Sequence, residues 1–285
     1  MLTIARITVV EASRRRLLLA LAILTLAVIG LTAWGFSKLP ATTTGPDNTP
    51  ISPSELRLAA SQLTIFIAFM FSGVLALGAV LVASPAISSD IESGIMLAIL
   101  PRPIRRMDVL VGKWLGLLAL VCAYAVVSST LELGVIWATT AYVPPNPLGA
   151  IVFIAAEGAV LMTLTLLLST RMAPMTSGII ALVGFFVAWM GGIALGFGQV
   201  FNNATIENIG LGSRLLLPTD GLWRGAVYEM EPSFVISGLR LAGRGAAGSP
   251  FTSLNPAPLA FELYAAGWLV AMLALGIWSF ARRDL

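Results

Sequence analysis

Residues 176–197 read TSGIIALVGFFVAWMGGIALGF, a run without one charged side chain. At ~1.5 Å per residue a helix of this length covers ~33 Å, and a lipid core is ~30 Å thick. Five more such runs lie at about residues 17–36, 63–83, 114–139, 150–168 and 259–280. Together the six take up nearly half of the chain. What remains is loops, with no stretch long enough for a soluble catalytic domain. The expected fold is therefore all-α: a polytopic membrane protein of six transmembrane helices, a single domain over residues 1–285.

Composition agrees. The chain is 58% hydrophobic and 11% charged, with a mean hydropathy of +0.92, far from the ~45–50% apolar content usual in soluble domains. The net charge of +3 comes mainly from arginines at helix ends, a topology signal and not a nucleic-acid footprint. The single cysteine, Cys122, excludes an intrachain disulfide. Histidine is absent. That removes HExxH metalloprotease chemistry, Ser/His couples and His-ligated haem. No catalytic residue and no metal ligand set is expected.

Basic residues orient the spans, because short basic loops resist translocation. With the N-terminus inside, eleven of seventeen fall in cytoplasmic segments: Arg6, Arg14, Arg15, Arg16, Arg102, Arg105, Arg106, Lys113, Arg171, Arg282 and Arg283. Both termini are thus expected in the cytoplasm, in a bacterial cell (inner) membrane. Residues 2–15 precede the first span. Leu2, Ala5, Val9 and Ala12 recur there at helical spacing, as in an interfacial amphipathic helix. The first span is too long for a signal-peptide h-region and is read as retained. Outside, residues 37–62 are rich in Pro, Thr and Ser and read as extended loop. The longest connection, residues 198–258, is expected to be a largely soluble external loop with short helices near 205–216 and 219–230. Thr219 and Asp220 after Pro218 read as a helix start. Asn203-Ala204-Thr205 matches the glycosylation pattern, by chance in a bacterial chain.

The most specific stretch is SPAISSDIESGIMLAILPRPIRRMDVLVGKWLG, residues 84–116. Ser88, Ser89 and Asp90 have N-cap chemistry. Ile87, Ile91, Ile95 and Ile99 recur every four residues, the spacing of one helix face. Pro101 and Pro103 then stop the helix. Arg105 and Arg106 mark the inner headgroup level, with Lys113 and Trp114 anchoring the start of the third span. The loop, residues 84–113, therefore holds a short amphipathic cytoplasmic helix whose apolar stripe needs cover. From periodicity alone that cover is the membrane surface or a protein groove.

The order Ile87, Glu92, Gly94, Leu97, Leu100-Pro101, Arg105, Leu110, Gly112-Lys113 resembles the second-span exit of type-2 ABC transporter permeases. Their pattern is roughly E-x-x-G-T-L-x-x-L-L-x-x-P-x-x-R-x-x-x-L-x-G-K. The terminal FARRDL, the N-terminal helix, the six spans and the elongated fifth-to-sixth connection extend the resemblance over essentially the full length. Ile95 departs from the usual Thr, and Ile99 stands in the shifted Leu pair. The resemblance implies a coupling helix at about 86–100 that seats Ser89, Asp90, Ile91, Glu92, Ser93, Gly94 and Ile95 in a cleft of a separate ABC ATPase subunit. It also implies a working unit of two permeases, a second copy or a related chain, with two ATPases. ATP and Mg belong to the partner. The chain has no GxxxxGK[ST] loop, so it binds no cofactor and is not itself an enzyme.

Glu132 and Glu157 fall inside spans three and four, ~10–12 Å below the outer surface by the helical rise. Intramembrane acids usually face a bundle interior or water. They are candidates for a substrate path, with a structural polar network as the alternative. Gly192-x-x-x-Gly196 in span five permits close helix packing or a dimer seam, and Gly112-x-x-x-Gly116 has the same form. The reading that emerges is the permease subunit of an ATP-driven exporter. The alternatives are a self-sufficient secondary transporter or channel, or a membrane assembly factor for metalloenzyme maturation.

Overall fold

The computed structural model describes residues 1–13, 16–38, 52–94, 105–241 and 249–283. Within them there are eleven helices and no strand. They are α1 (Leu2–Ser13), α2 (Arg16–Lys38), α3 (Pro53–Ala83), α4 (Pro85–Glu92), α5 (Arg106–Thr140), α6 (Pro147–Ser169), α7 (Pro174–Phe201), α8 (Ala204–Leu216), α9 (Thr219–Met230), α10 (Ser233–Leu241) and α11 (Leu259–Ala281). Six helical rods are long and apolar enough to cross a membrane: α2, α3 continued by α4, α5, α6, α7 and α11. Each contains one of the apolar runs, extended toward its cap; the largest extension is in α3, which starts at Pro53, so residues 53–62 are helical and not the extended loop expected of them. The chain is an all-α, multi-pass membrane protein.

The caps explain those ends. Ser52 opens α3 with a reciprocal capping box to Glu55. Asn146 caps α6 by accepting from the Gly149 amide at 3.0 Å. Ala141 and Asn202 take left-handed conformations that end α5 and α7.

Helix α6 is the central rod. It packs against α3, α5, α7, α9 and α11 and is the most buried of the spans. The outward faces of α2 and α7 carry exposed Leu, Ile, Val, Phe and Trp side chains, as a lipid-facing surface requires. Both chain ends lie at one face of the bundle, the terminal face. There Arg106 donates to the Arg283 carbonyl at 2.6 Å, and Arg171 donates to the Ser279 hydroxyl and carbonyl, each at 3.0 Å.

Helix α1 is seated by Gly112 and Gly116 of α5. A Cβ at Gly112 would lie 2.8 Å from Ile4 Cβ, and one at Gly116 would lie 2.6 Å from the Ala5 carbonyl oxygen. That small-xxx-small pair is a groove for the N-terminal helix. Leu2 and Ile7 stay exposed on its far side.

The 84–113 segment differs from the sequence expectation in four ways. Ser88, Ser89 and Asp90 do not cap a helix. The backbone stays α-helical through Ser84, so α4 continues α3, and both hydroxyls bond back four residues to the Ser84 and Pro85 carbonyls. Helix α4 does not run to residue 100, because Gly94 at φ +73° closes it just after Ser93. The two stripe residues that are described meet the chain's own bundle: Ile87 is fully buried, and Ile91, partly buried, packs on the same core. Lys113 does not reach the headgroups. It is buried and pairs with Asp90 while donating to the Ala86 carbonyl. Arg14, Arg15, the external stretch 39–51, Ile95, Leu97, Ile99, Leu100, Pro101, Arg102, Pro103 and Arg244 lie outside the described residues.

Candidate functional site

The terminal face presents the tip of α4. The combined α3–α4 rod from Glu55 to Glu92 is 38 residues long. At ~1.5 Å per residue it measures ~57 Å, well beyond a ~30 Å lipid core. Of the expected coupling residues, Ser89 is tied to the Pro85 carbonyl, Asp90 to Lys113 and Ile91 to the core. Glu92 and Ser93 are exposed, and Gly94 is partly so. Among the described residues the exposed part of the tip is therefore Glu92-Ser93, next to the Asp90–Lys113 ion pair with α5.

In the bundle interior, Glu132 and Glu157 are both 3% exposed. Glu157 on α6 accepts from the Ser72 hydroxyl of α3 at 2.7 Å. Glu132 on α5 borders a void of about 10 Å³ with Thr64, Ile151 and Ile154. One of its oxygens has no hydrogen-bond partner among the described residues. Such a void has room for about one water and no solute. Both acids thus face the interior of one protomer, Glu157 one or two turns deeper than the α6 residues beside Glu132.

The far face departs most from expectation. The 198–258 connection was expected as the largest soluble piece, but its first two helices fold back into the bundle. Asn202 and Asn203 reverse the chain. The Asn203 side chain caps α8 by accepting from the Thr205 and Ile206 amides at 3.1 and 3.2 Å. Helix α8 then runs antiparallel to α7 at close range. A Cβ at Gly198 would lie 2.5 Å from the Glu207 nitrogen, and one at Gly210 would lie 2.5 Å from the Gly191 oxygen. Only glycine at these positions allows backbones so near. The Ser213 hydroxyl reaches the Val187 carbonyl, and Leu217 touches Gly184. The hairpin tip thus reaches about the middle of α7. Helix α9 climbs back along α6, with Gly225 under Phe153 and Glu229 accepting from Asn146 at 2.7 Å.

A re-entrant segment must satisfy its own backbone, since lipid offers no partners. Here α11 supplies them: Trp268 donates to the Leu216 carbonyl at 3.1 Å, and Tyr264 donates to that of Leu215. Aromatic packing fixes the hairpin to α3. Phe69 meets Trp189, Trp223 and Phe251 with ring centroids 5.4, 5.5 and 5.4 Å away.

Asp220, in the first turn of α9, is the charged centre of the hairpin. Its Oδ2 accepts from Arg214 Nη2 at 2.6 Å and Nε at 3.1 Å, and from Arg224 Nε at 3.3 Å. Arg224 also donates to the Gly192 carbonyl at 2.9 Å. Gly192 leaves the space this needs, since a Cβ there would stand 1.8 Å from Asp220 Oδ1. Gly196 lines the neighbouring cavity. Sequence reading took Asp220 only as part of a helix start and gave Arg214 and Arg224 no role. The usable signal was Arg-x5-Asp-x3-Arg facing a glycine-rich span.

At the far rim, Glu231 follows α9. Its Oε2 accepts from the Ser253 amide at 3.1 Å, while Oε1 finds no partner among the described residues. Burial pushes its carboxyl up to about 7, against a smaller opposing effect of that hydrogen bond. Burial, with the nearby Glu231 charge, pushes the Tyr142 phenol up to about 12. Its hydroxyl donates to the Met230 carbonyl at 3.2 Å.

The described residues hold six helical rods long and apolar enough to cross a membrane, which makes the chain a polytopic membrane protein. A family profile described as ABC-2 family transporter protein matches residues 2–285, and the chain belongs to that family. It is the permease component of an ABC transporter, in a family whose permeases associate with ABC ATPase subunits. None of the curated proteins matches the chain.

Proposed function

We propose that the chain is the membrane subunit of an exporter that works as a permease dimer on two separate ATPase subunits, in a bacterial inner membrane with the terminal face in the cytoplasm. The observation that carries this is the α3–α4 rod. One continuous rod joins the bundle core to an exposed Glu92-Ser93 tip at the terminal face. The Asp90–Lys113 pair ties that tip to α5, so a push on the tip moves two spans together. ATP and Mg are held by the partner. Export as the direction follows the family resemblance of the sequence. The surface for a second permease is apolar: α3 and α7 pack on each other, and Phe66 and Met70 of α3 and Val183 and Phe186 of α7 are all exposed.

The test is Glu92→Arg with Ser93→Trp, made in the permease co-expressed with its ATPase. Both side chains are exposed, so membrane insertion and melting temperature stay as in the wild type. ATPase co-purification falls at least tenfold. Undiminished co-purification and unchanged ATP turnover refute docking at this tip. A path role for Glu132 and Glu157 requires a cavity wider than this conformation holds. Replacing both with Gln decides the matter: lost transport with unchanged melting supports the path, and full transport with altered melting supports a structural network.

A further inference from the structure

A cavity of about 410 Å³ lies between the re-entrant hairpin, α7 and residues 252–258. Its walls include Leu195, Leu215 and Phe261, together with Gln199, two residues from the far end of α7. Arg214 and Arg224 also form its wall. Asp220 does not: it stands behind them, its side chain 1% exposed, while the two guanidinium side chains are 20% and 15% exposed. Two fixed positive charges thus share one carboxylate, and the cavity sees a surplus of one positive charge.

The depth makes that surplus costly. Gly192, which contacts both Asp220 and Arg224, is nine residues from the far end of α7, hence ~13 Å along the helix. Intramembrane charge is retained where it has a partner or a task. Asp220 neutralises only one arginine. Arg214 uses Nε and Nη2 on Asp220, and Arg224 uses Nε on Asp220, Nη2 on the Gly192 carbonyl and Nη1 weakly, at 3.5 Å, on that of Ser249. Nη1 of Arg214 and the second protons of the terminal nitrogens remain, and beside aliphatic and aromatic walls they suit an oxyanion carried on an apolar chain.

We propose that this cavity binds the phosphate of a ligand with a net negative charge, with Arg214 and Arg224 as its ligands; a cation on the same headgroup would cancel the attraction of the surplus charge. The chemistry is that of a phosphodiester headgroup from the far leaflet or of free phosphate, and the apolar walls favour the lipid. The site needs neither an ATPase nor a second permease, so its failure leaves the function proposed above untouched.

The full-length protein in neutral detergent is titrated with short-chain phosphatidylglycerol, the matching phosphatidylcholine, or inorganic phosphate. Bound ligand is read by native mass spectrometry and by thermal shift. One phosphatidylglycerol binds at least tenfold more tightly than phosphatidylcholine. Arg214→Gln removes the surplus charge and weakens binding at least tenfold, whereas Arg214→Lys stays within about threefold of wild type. Asp220→Asn raises the surplus and tightens binding, although it removes the anchor of the cluster; a purely structural role for these residues predicts loosening. Equal binding of the two lipids, or Arg214→Gln binding like wild type, overturns the proposal. Inorganic phosphate binding as tightly as phosphatidylglycerol assigns the site to the free ion, and much weaker binding assigns it to the lipid.

Discussion

Replacing Lys113 with Met tests whether the ion pair at the terminal face clamps α4 to the bundle. The Lys113 and Asp90 side chains are 7% and 13% exposed, and the ammonium also serves the Ala86 carbonyl. Met keeps most of the length and apolar stem but leaves a mostly buried carboxylate and a carbonyl without their donor. Breaking one half of a buried pair costs ~3–5 kcal/mol. Asp90 keeps some contact with water, so the lower end, about 3 kcal/mol, is expected. For a chain of this size 1 kcal/mol moves the midpoint by ~2 °C, so Lys113→Met should melt ~6 °C lower in detergent. Asp90→Asn should cost less, because the ammonium keeps the Ala86 carbonyl. The double variant should recover much of the loss, giving a coupling energy of ~2 kcal/mol. Without the clamp, ATP turnover by the co-purified partner should respond less to the permease. Additive single losses, or a Lys113→Met shift under 2 °C, would refute the clamp.

Gly192→Ala places a methyl group 1.8 Å from Asp220 Oδ1 and must push α9 off α7. The loss should approach ~3 kcal/mol, the upper end for overpacking, whereas alanine at Gly134, where nothing lies within 4 Å, should be tolerated; equal melting of the two variants would refute the close approach. Glu231→Gln should change the pH profile at the far rim. The folded carboxyl sits at about 7 against an ordinary 4.5, so the folded state holds its proton more tightly than the unfolded chain, and stability falls as pH rises from about 4.5 to about 7. Melts should show the Gln variant above wild type at pH 8 by roughly 2–4 °C, ~1–2 kcal/mol after allowance for solvent screening, and level with it near pH 4.5. Parallel profiles would sink the assignment.

The six spans were legible because a run of apolar residues long enough to cross lipid has few other uses. Their ends were less so, since capping by Ser52 or Asn146 is a local hydrogen-bond matter that hydropathy does not register. The helices of residues 205–216 and 219–230 were foreseen almost to the residue, but their depth was not. At 13 and 12 residues they are too short for a spanning criterion, and they tolerate membrane depth only because α7, α6 and α11 satisfy them. Periodicity likewise showed that Ile87 and Ile91 need cover. It carries no information on whether the cover is the same chain or another. Burial of Glu132 and Glu157 followed from counting residues, whereas the Arg214–Asp220–Arg224 cluster is a tertiary product of the hairpin.

The packing also bears on where a transported molecule can travel. The two interior acids sit at a one-water void and at a serine hydroxyl. The apolar void between α2, α3 and α5 holds only about 30 Å³. Neither admits a solute, and close packing makes widening them costly, because every methylene displaced from such a core is felt. A route through the interior of one protomer would have to dismantle the contacts of α6, the rod on which the bundle is built. A route along the protomer surface costs none of these contacts. It needs a second wall, which another permease would provide in the dimer proposed above, facing α3 and α7. On this reasoning the rod that carries the Glu92-Ser93 tip also borders the path, so a displacement at the tip changes the path without repacking either core.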